Sequence, residues 1–257
     1  MGNKFRFIRV KVDEGVANIC LDRPPLNWMN IEMMEEINNA LSSFKDMEGI
    51  KLLVFSAEGK AFSVGVDVAD HMGDKAKRMI EVFHGIFRLI DSLGIPTIAI
   101  VNGSALGGGC ELATYCDIVL ASERAKFGQP EIQVGVFPPI AALEFPRIIG
   151  RKKAFELILS GETIGAKEAL EIGLVNRVFP VERFEEEVTS FISKLTALSP
   201  VVLRMTKKAI TIGWDTGAEE GLRRIEDLYI KELMSTEDAN EGLLAFIEKR
   251  KPIWKGR

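Results

Sequence analysis

The chain is expected to adopt an α/β fold, on the strength of three observations. Apolar or alternating runs of strand length recur between helically periodic segments up to about residue 180. From Val181 onward the pattern is almost wholly helical. Neither an internal repeat nor a low-complexity stretch interrupts it, and 257 residues suit one large domain or a core with a smaller appendage. The change of pattern places a boundary near residues 195–200, dividing a core of residues 1–195 from a helical segment of residues 196–257.

The elements follow in order. Phe7 to Val12 and Val16 to Leu21 flank Asp13-Glu14-Gly15 and read as a hairpin. Asn30 is placed to cap a helix from Ile31 to Phe44, with Met33, Met34, Ile37 and Leu41 at helical spacing. Leu52 to Ser56 is a buried strand. Lys75 to Leu93 is helical through Met79, Val82, Phe83, Ile86 and Ile90; Gly94 ends it and Pro96 to Val101 is the next strand. Asn102 to Gly109 is a small-residue stretch that should not form a regular strand. Cys110 to Tyr115 reads as helix and Asp117 to Ala121 as strand. The C-terminal helices are expected at Val181–Leu198, Pro200–Ile212, Ala218–Met234 and Glu237–Lys249, with Pro200 suited to a first turn.

Composition narrows the function classes. Hydrophobic residues make up 47% and charged residues 27%, the balance of a folded globular chain. A net charge of -4 gives no reason to expect nucleic acid. Lys207-Lys208 and Lys249-Arg250-Lys251 suit a solvated helix face, or a local anion such as a nucleotide phosphate. Cys20, Cys110 and Cys116 have no ligand spacing, which argues against a disulfide framework or a metal site, and Cys110 reads as a small buried thiol. The start, Met1 to Phe7, is too polar for a signal peptide, and no apolar run reaches the roughly 18–20 residues of a membrane span. A cytoplasmic location is the expectation.

Three segments carry chemistry. In Asn102-Gly-Ser-Ala-Leu-Gly-Gly-Gly-Cys-Glu-Leu-Ala, three glycines precede a helix, where exposed amides can hold a developing oxyanion. A tight turn packed on a neighbouring helix explains them equally well. Gly59-Lys-Ala-Phe-Ser-Val-Gly-Val-Asp-Val follows a strand and offers Asp67 as a cap; alone it reads as an ordinary connection. In Phe127-Gly-Gln-Pro-Glu-Ile, a glutamate lies among apolar residues, where desolvation would raise its pKa, although a surface glutamate opening a helix is the commoner case.

Together these segments resemble the crotonase (enoyl-CoA hydratase/isomerase) superfamily. The resemblance begins at Leu21-Asp-Arg-Pro-Pro-Leu-Asn, runs through the three segments and resumes at Gly161-Glu-Thr-Ile-Gly-Ala-Lys-Glu-Ala and Gly173-Leu-Val-Asn-Arg-Val, covering essentially the whole chain. It implies a spiral of strand-strand-helix (ββα) units followed by a helical oligomerisation segment that builds trimers, often paired into hexamers. It also implies an acyl-CoA substrate, with coenzyme A as part of that substrate and no metal or separate cofactor. The backbone amides of Val66 and Gly108 would hold the thioester oxygen, and Glu111 and Glu131 would handle water and protons. Val64, Gly65, Asp67, Gly107, Pro139 and Ile140 would line the substrate. Phe246 and Lys249 would meet coenzyme A across a subunit boundary, unless that tail is simply solvated.

Departures refine the expectation. Where typical relatives read glycine-x-isoleucine-proline-glycine-alanine-glycine-glycine, this chain reads Gly135-Val-Phe-Pro-Pro-Ile-Ala-Ala. The amide that helps place water in the family falls at Pro139, which has no N–H, and Ile140 is bulkier than its counterpart. A lysine common near the coenzyme A phosphates is Ala69 here. This combination resembles the cyclohexa-1,5-diene-1-carboxyl-CoA hydratases of anaerobic benzoyl-CoA degradation, which implies 1,4-addition of water to a cyclic dienoyl thioester. A linear enoyl-CoA hydratase, an isomerase, a hydrolase, or an inactive RNA-binding scaffold are the alternatives; the acidic balance and the retained glutamate pair count against the last. His71 reads as a surface residue opening a helix, or as a group assisting a carboxylate. Phe83, Phe87 and Trp28 read as core, or as walls of a ring-shaped pocket.

Overall fold

Alternation builds the first hairpin. β1 (Ile8–Asp13) and β2 (Val16–Leu21) pair antiparallel, with Ile8 opposite Leu21 and Asp13 opposite Val16, so Ala17, Ile19 and Leu21 all face inward. This computed structural model describes residues 5–214 and 216–257. Residues 1–4, the start of the polar N-terminus, lie outside them. The Asn30 carboxamide accepts the Met33 N–H at 3.0 Å and starts α1 (Ile31–Ser43), which buries Met33, Met34, Ile37, Ala40 and Leu41.

The chain then repeats one unit. β3 (Leu52–Ala57) and β4 (Ala61–Ser63) lead into α2 (Lys75–Leu93). β5 (Thr97–Val101) and β6 (Ser104–Leu106) lead into α3 (Gly108–Tyr115). β7 (Ile118–Ser122) and β8 (Lys126–Gly128) lead, through a tight turn at Pro130–Val134, into α4 (Pro139–Ile148) and α5 (Gly150–Ser160). β9 (Thr163–Gly165), α6 (Ala166–Glu171) and β10 (Arg177–Phe179) complete the sheets. The first strand of each unit joins a six-stranded sheet of order β1-β2-β3-β5-β7-β10, and the second joins a four-stranded sheet of order β4-β6-β8-β9. Among the described residues only the β1/β2 and β8/β9 pairs are antiparallel. The outcome is the expected spiral of strand-strand-helix units.

One expectation is overturned here. Asn102–Gly109 does contain a strand, β6, lying parallel between β4 and β8. Small residues do not favour a strand by themselves, but neighbours on both sides supply the backbone partners, and sequence does not display those neighbours.

The large sheet is buried on both faces. Leu53 and Phe55 of β3 join the main core with Phe44, Phe62, Phe83, Phe127 and Phe145. Leu52 and Val54 face the other way, onto Val188, Phe184 and Phe191 of α7 (Phe184–Thr196). Next comes α8 (Pro200–Ile212), with Pro200 in its first turn and the Ser199 hydroxyl capping Val202. Cations pin it to the core: Arg204 donates to Ile50 O at 3.2 Å, and Lys207 to Ile95 O at 3.1 Å and to Asp117 at 2.7 Å. Lys208 pairs with Glu232, so the dilysine is engaged within the chain.

The helix expected over Ala218–Met234 is not uniform. α9 (Ala218–Asp227) widens to i→i+5 bonding at Leu228–Glu232 and tightens at Leu233–Ser235. The break frees Thr236 to cap α10 (Glu237–Ile247) through Ala239 N–H at 3.1 Å. Among the described residues, no helix is long and apolar enough to cross a membrane.

Candidate active site

The site is assembled from backbone first. The loop from Arg23 to Met29 runs beside residues 63–67, and buried Asn27 locks it there. Its carboxamide donates to Glu58 O at 2.8 Å and Ala61 O at 2.9 Å and accepts the Arg23 N–H at 2.8 Å. The Ser63 hydroxyl donates to Asn27 O at 2.7 Å. Met29 then pairs with Val66 in parallel: Met29 N–H donates to Gly65 O at 2.9 Å, and Asp67 N–H to Met29 O at 3.0 Å. In that pairing the Val66 N–H points to the opposite side. It has no partner among the described residues.

The second free amide sits next to it. Gly108 opens α3, and first-turn N–H groups have no acceptor within their own helix. The Gly108 N–H has none among the described residues. Gly65, at φ +110°, lets the two segments meet: a Cβ there would stand 3.2 Å from Leu106 O and 3.5 Å from Gly108 N. A Cβ on Gly108 would stand 2.8 Å from Val66 Cγ2. Two unpaired amides on adjoining segments form a cradle for a developing negative oxygen.

Both glutamates come to this place. Glu111 lies on α3, one turn after Gly108, and is 2% exposed. Its Oε1 accepts the Ile140 N–H at 2.7 Å and the Ala141 N–H at 2.9 Å. Those amides belong to the first turn of α4, which has no capping side chain of its own. Glu131 sits in the turn after β8. Gly107, at φ +52°, makes room for it, because a Cβ there would stand 2.7 Å from Glu131 Oε1. Glu131 Oε2 is buried without a partner among the described residues.

The electrostatics follow from this burial. Desolvation pushes the Glu111 carboxyl up to about 8; the Ala141 and Ile140 amides oppose the rise, and the Glu131 charge adds to it. Desolvation likewise pushes Glu131 up to about 7. Two such neighbours titrate as a pair that retains a proton near neutral pH. Cys110 is fully buried between these groups, with its thiol driven far above the ordinary range, so it is inert packing.

The remaining expected residues fall as follows. Gly65 and Gly107 are buried at the contact just described, and Val64 adjoins it with its N–H on Leu26 O at 3.1 Å. Asp67 caps a short turn, accepting the Ala69 N–H at 3.1 Å. His71 closes that turn rather than opening a helix, with Nδ1 3.1 Å from Asp67 O. Phe83 reaches the site, its Cζ 3.1 Å from the Gly108 Cβ position, whereas Phe87 packs edge-on behind it and Trp28 is partly exposed. Pro139 and Ile140 form the half-buried first turn of α4. Phe246 is 84% exposed at the end of α10, a helix that packs mainly on α8 and on Leu233–Ser235. Lys249 lies just beyond, at φ +56°. Within one chain those two are not assembled with the glutamates.

Sequence reasoning assigned no role to Asn27, Ser63 or Gln129. Asn27 and Ser63 lie inside the quoted motifs, yet their hydrogen-bond partners are up to 36 residues away. A fully buried asparagine at φ +53° has no signature in periodicity.

Known proteins share this framework. A crystal structure of an enoyl-CoA hydratase from Bacillus anthracis superposes with a TM-score of 0.92 at 32% identity, over 98% of this chain and 100% of that one. A Mycobacterium bovis protein named as a probable enoyl-CoA hydratase is 38% identical over 257 residues, 98% of this chain and 99% of its own. A crotonyl-CoA hydratase from Syntrophomonas wolfei is 34% identical over 250 residues, 95% and 96% of the two chains. The enoyl-CoA hydratase/isomerase family model matches residues 11–257, and the chain belongs to that family.

Proposed function

We propose that this protein is an acyl-CoA hydratase, adding water to a conjugated thioester. One observation carries the reading: two buried carboxyls with raised pKa values flank a pair of unpaired amides. Water attacks the β-carbon of the thioester while its carbonyl oxygen gathers enolate charge. The Val66 and Gly108 N–H groups hold that charge, each worth about 3–4 kcal/mol in comparable sites. The Glu111/Glu131 pair takes one proton from water and returns one to carbon, so no proton is gained or lost by the enzyme. Proton transfer of this kind needs no metal and no cofactor beyond the coenzyme A of the substrate.

The acyl group we assign is cyclohexa-1,5-diene-1-carboxyl, hydrated by 1,4-addition to 6-hydroxycyclohex-1-ene-1-carboxyl-CoA. Support comes from Pro139 and Ile140, which put a rigid, bulkier first turn beside Glu111. The likeness to the Syntrophomonas crotonyl-CoA hydratase favours a second reading, a linear enoyl substrate. Initial rates with crotonyl-CoA and the cyclic dienoyl-CoA separate the two. A strong crotonyl preference removes the cyclic assignment, and no turnover of either removes the hydratase reading. Product analysis in labelled water then locates the new hydroxyl and hydrogen.

The active unit we propose is a homotrimer or hexamer in the cytoplasm. Exposed Leu222, Ile230, Leu243, Phe246 and Ile247 on the C-terminal helices support burial against other subunits. Phe246 and Lys249 would then reach coenzyme A bound to a neighbour. Light scattering of the purified protein checks the assembly, and a monomer overturns it.

A further inference from the structure

The first turn of α4 can donate only through Ile140 and Ala141, and both donate to the same Glu111 oxygen. The residue ahead of them, Pro139, has no N–H. Glu111 Oε2 therefore has no backbone donor at position 139 to help fix a water beside it. A water that gives its proton to a carboxylate needs a second hydrogen-bond partner to aim its lone pair at carbon.

A buried donor is present and unused. Gln129 is fully buried, and neither Nε2 nor Oε1 has a partner among the described residues. Such a group is costly to bury alone and calls for an occupant. Its place in the fold says which. Gln129 directly follows β8, whose Gly128 pairs with Leu106 and accepts the Gly107 N–H at 2.9 Å, so Gln129 continues the strand alongside Gly107. Glu131 Oε1 rests against that same Gly107, and its Oε2 is also buried and unpaired. The backbone of Gln129 and the carboxyl of Glu131 thus both adjoin Gly107, the residue that precedes α3, and each of the two side chains has unfilled hydrogen-bonding positions.

We propose that the Gln129 carboxamide donates a hydrogen bond to the attacking water, in place of the N–H that Pro139 lacks. Gln129 transfers no proton: it orients the water while the carboxyl pair accepts the proton. The inference rests on the hydratase reading.

A double-substitution cycle tests it, using Gln129→Met, Pro139→Ala and the pair, with the full-length protein and whichever of crotonyl-CoA and the cyclic dienoyl-CoA it hydrates. Gln129→Met should lower kcat roughly 10–100-fold, as expected for losing one donor to a reacting oxygen, with little change in KM and no fall in Tm. Pro139→Ala restores an N–H and should raise the rate of Gln129→Met about tenfold more than it raises that of the parent. Gln129→Glu guards against misfolding of the methionine variant: its carboxyl donates only when protonated, so its kcat should fall as pH rises across a range where the parent holds. An undiminished kcat in Gln129→Met, strictly additive effects, or a parent-like pH profile in Gln129→Glu overturns the proposal. A parent that hydrates neither thioester overturns the hydratase reading itself, and this inference with it.

Discussion

Glu111 caps a helix to which it does not belong: its Oε1 accepts the Ile140 N–H at 2.7 Å and, from the next residue, the Ala141 N–H at 2.9 Å. α4 begins at Pro138-Pro139 and brings no capping side chain, so a carboxylate from α3 fills that role. One side chain therefore ties α3 to α4 and stands at the proposed reaction centre.

The two roles separate by substitution. Glu111→Gln keeps an oxygen for the two amides but cannot exchange protons, so kcat should fall by roughly 10²–10⁴ while Tm holds or rises. Glu111→Ala should lose the same activity and also about 0.5–2 kcal/mol of stability with the cap. Steady-state rates and thermal melts read both. Full activity in Glu111→Gln would remove Glu111 from the chemistry.

Burial of the pair has a consequence for stability against pH. Both carboxyls hold a proton more tightly folded than unfolded, with folded values of about 8 for Glu111 and about 7 for Glu131 against 4.5. That contribution is fully present below about pH 4.5 and is lost as pH rises through about 7 and 8. The Tm of Glu111→Gln minus that of the parent should therefore widen steadily from pH 5 to pH 8. A constant difference would mean that Glu111 is not proton-retaining in the fold.

Activity should follow the pair as a unit. The pH profile of kcat/KM is expected to show two apparent pKa values belonging to the coupled carboxyls, and Glu131→Gln should leave the remaining activity with one limb. An unchanged two-limbed profile would place the titration elsewhere.

Gly65 tests the amide pair. At φ +110°, with its Cβ position 3.2 Å from Leu106 O, alanine forces the Met29–Val66 strip away from Gly108. Gly65→Ala should cost about 1–3 kcal/mol of stability and lower kcat more than it raises KM, because the amides act mainly on the charged transition state. Urea unfolding and steady-state kinetics measure the two effects. A rise in KM alone would contradict the oxyanion role.

Asn27 tests the scaffold beneath that strip. Asn27→Ala removes three hydrogen bonds, one of them fully buried, and an asparagine suited to φ +53°. A loss of about 2–4 kcal/mol in the unfolding free energy from urea titration is expected, with reduced kcat through a loosened Val66. Parent-like stability would show that the loop is held otherwise.

Local chemistry made several elements legible in the sequence. Asn30 caps α1, α2 spans Lys75–Leu93 and stops at Gly94, and α8 runs Pro200–Ile212, because caps, periodicity and breakers act within a few residues. Glu111 and Glu131 were legible as a pair through the order of motifs along the chain. Tertiary structure alone decided the rest. β6 exists because β4 and β8 flank it, and α9 gives way to the wider turn at Leu228–Glu232 with no glycine or proline there to announce it. Val66 and Gly108 present free amides to one place only because Met29 turns one of them and Gly65 admits the other. Glu111 meets its amides 29 and 30 residues downstream, and Gln129 goes unpaired because no donor or acceptor among the described residues reaches it. Residue types and spacing follow from the sequence. Hydrogen bonding and desolvation depend on which distant groups share a volume, and only the folded chain sets that.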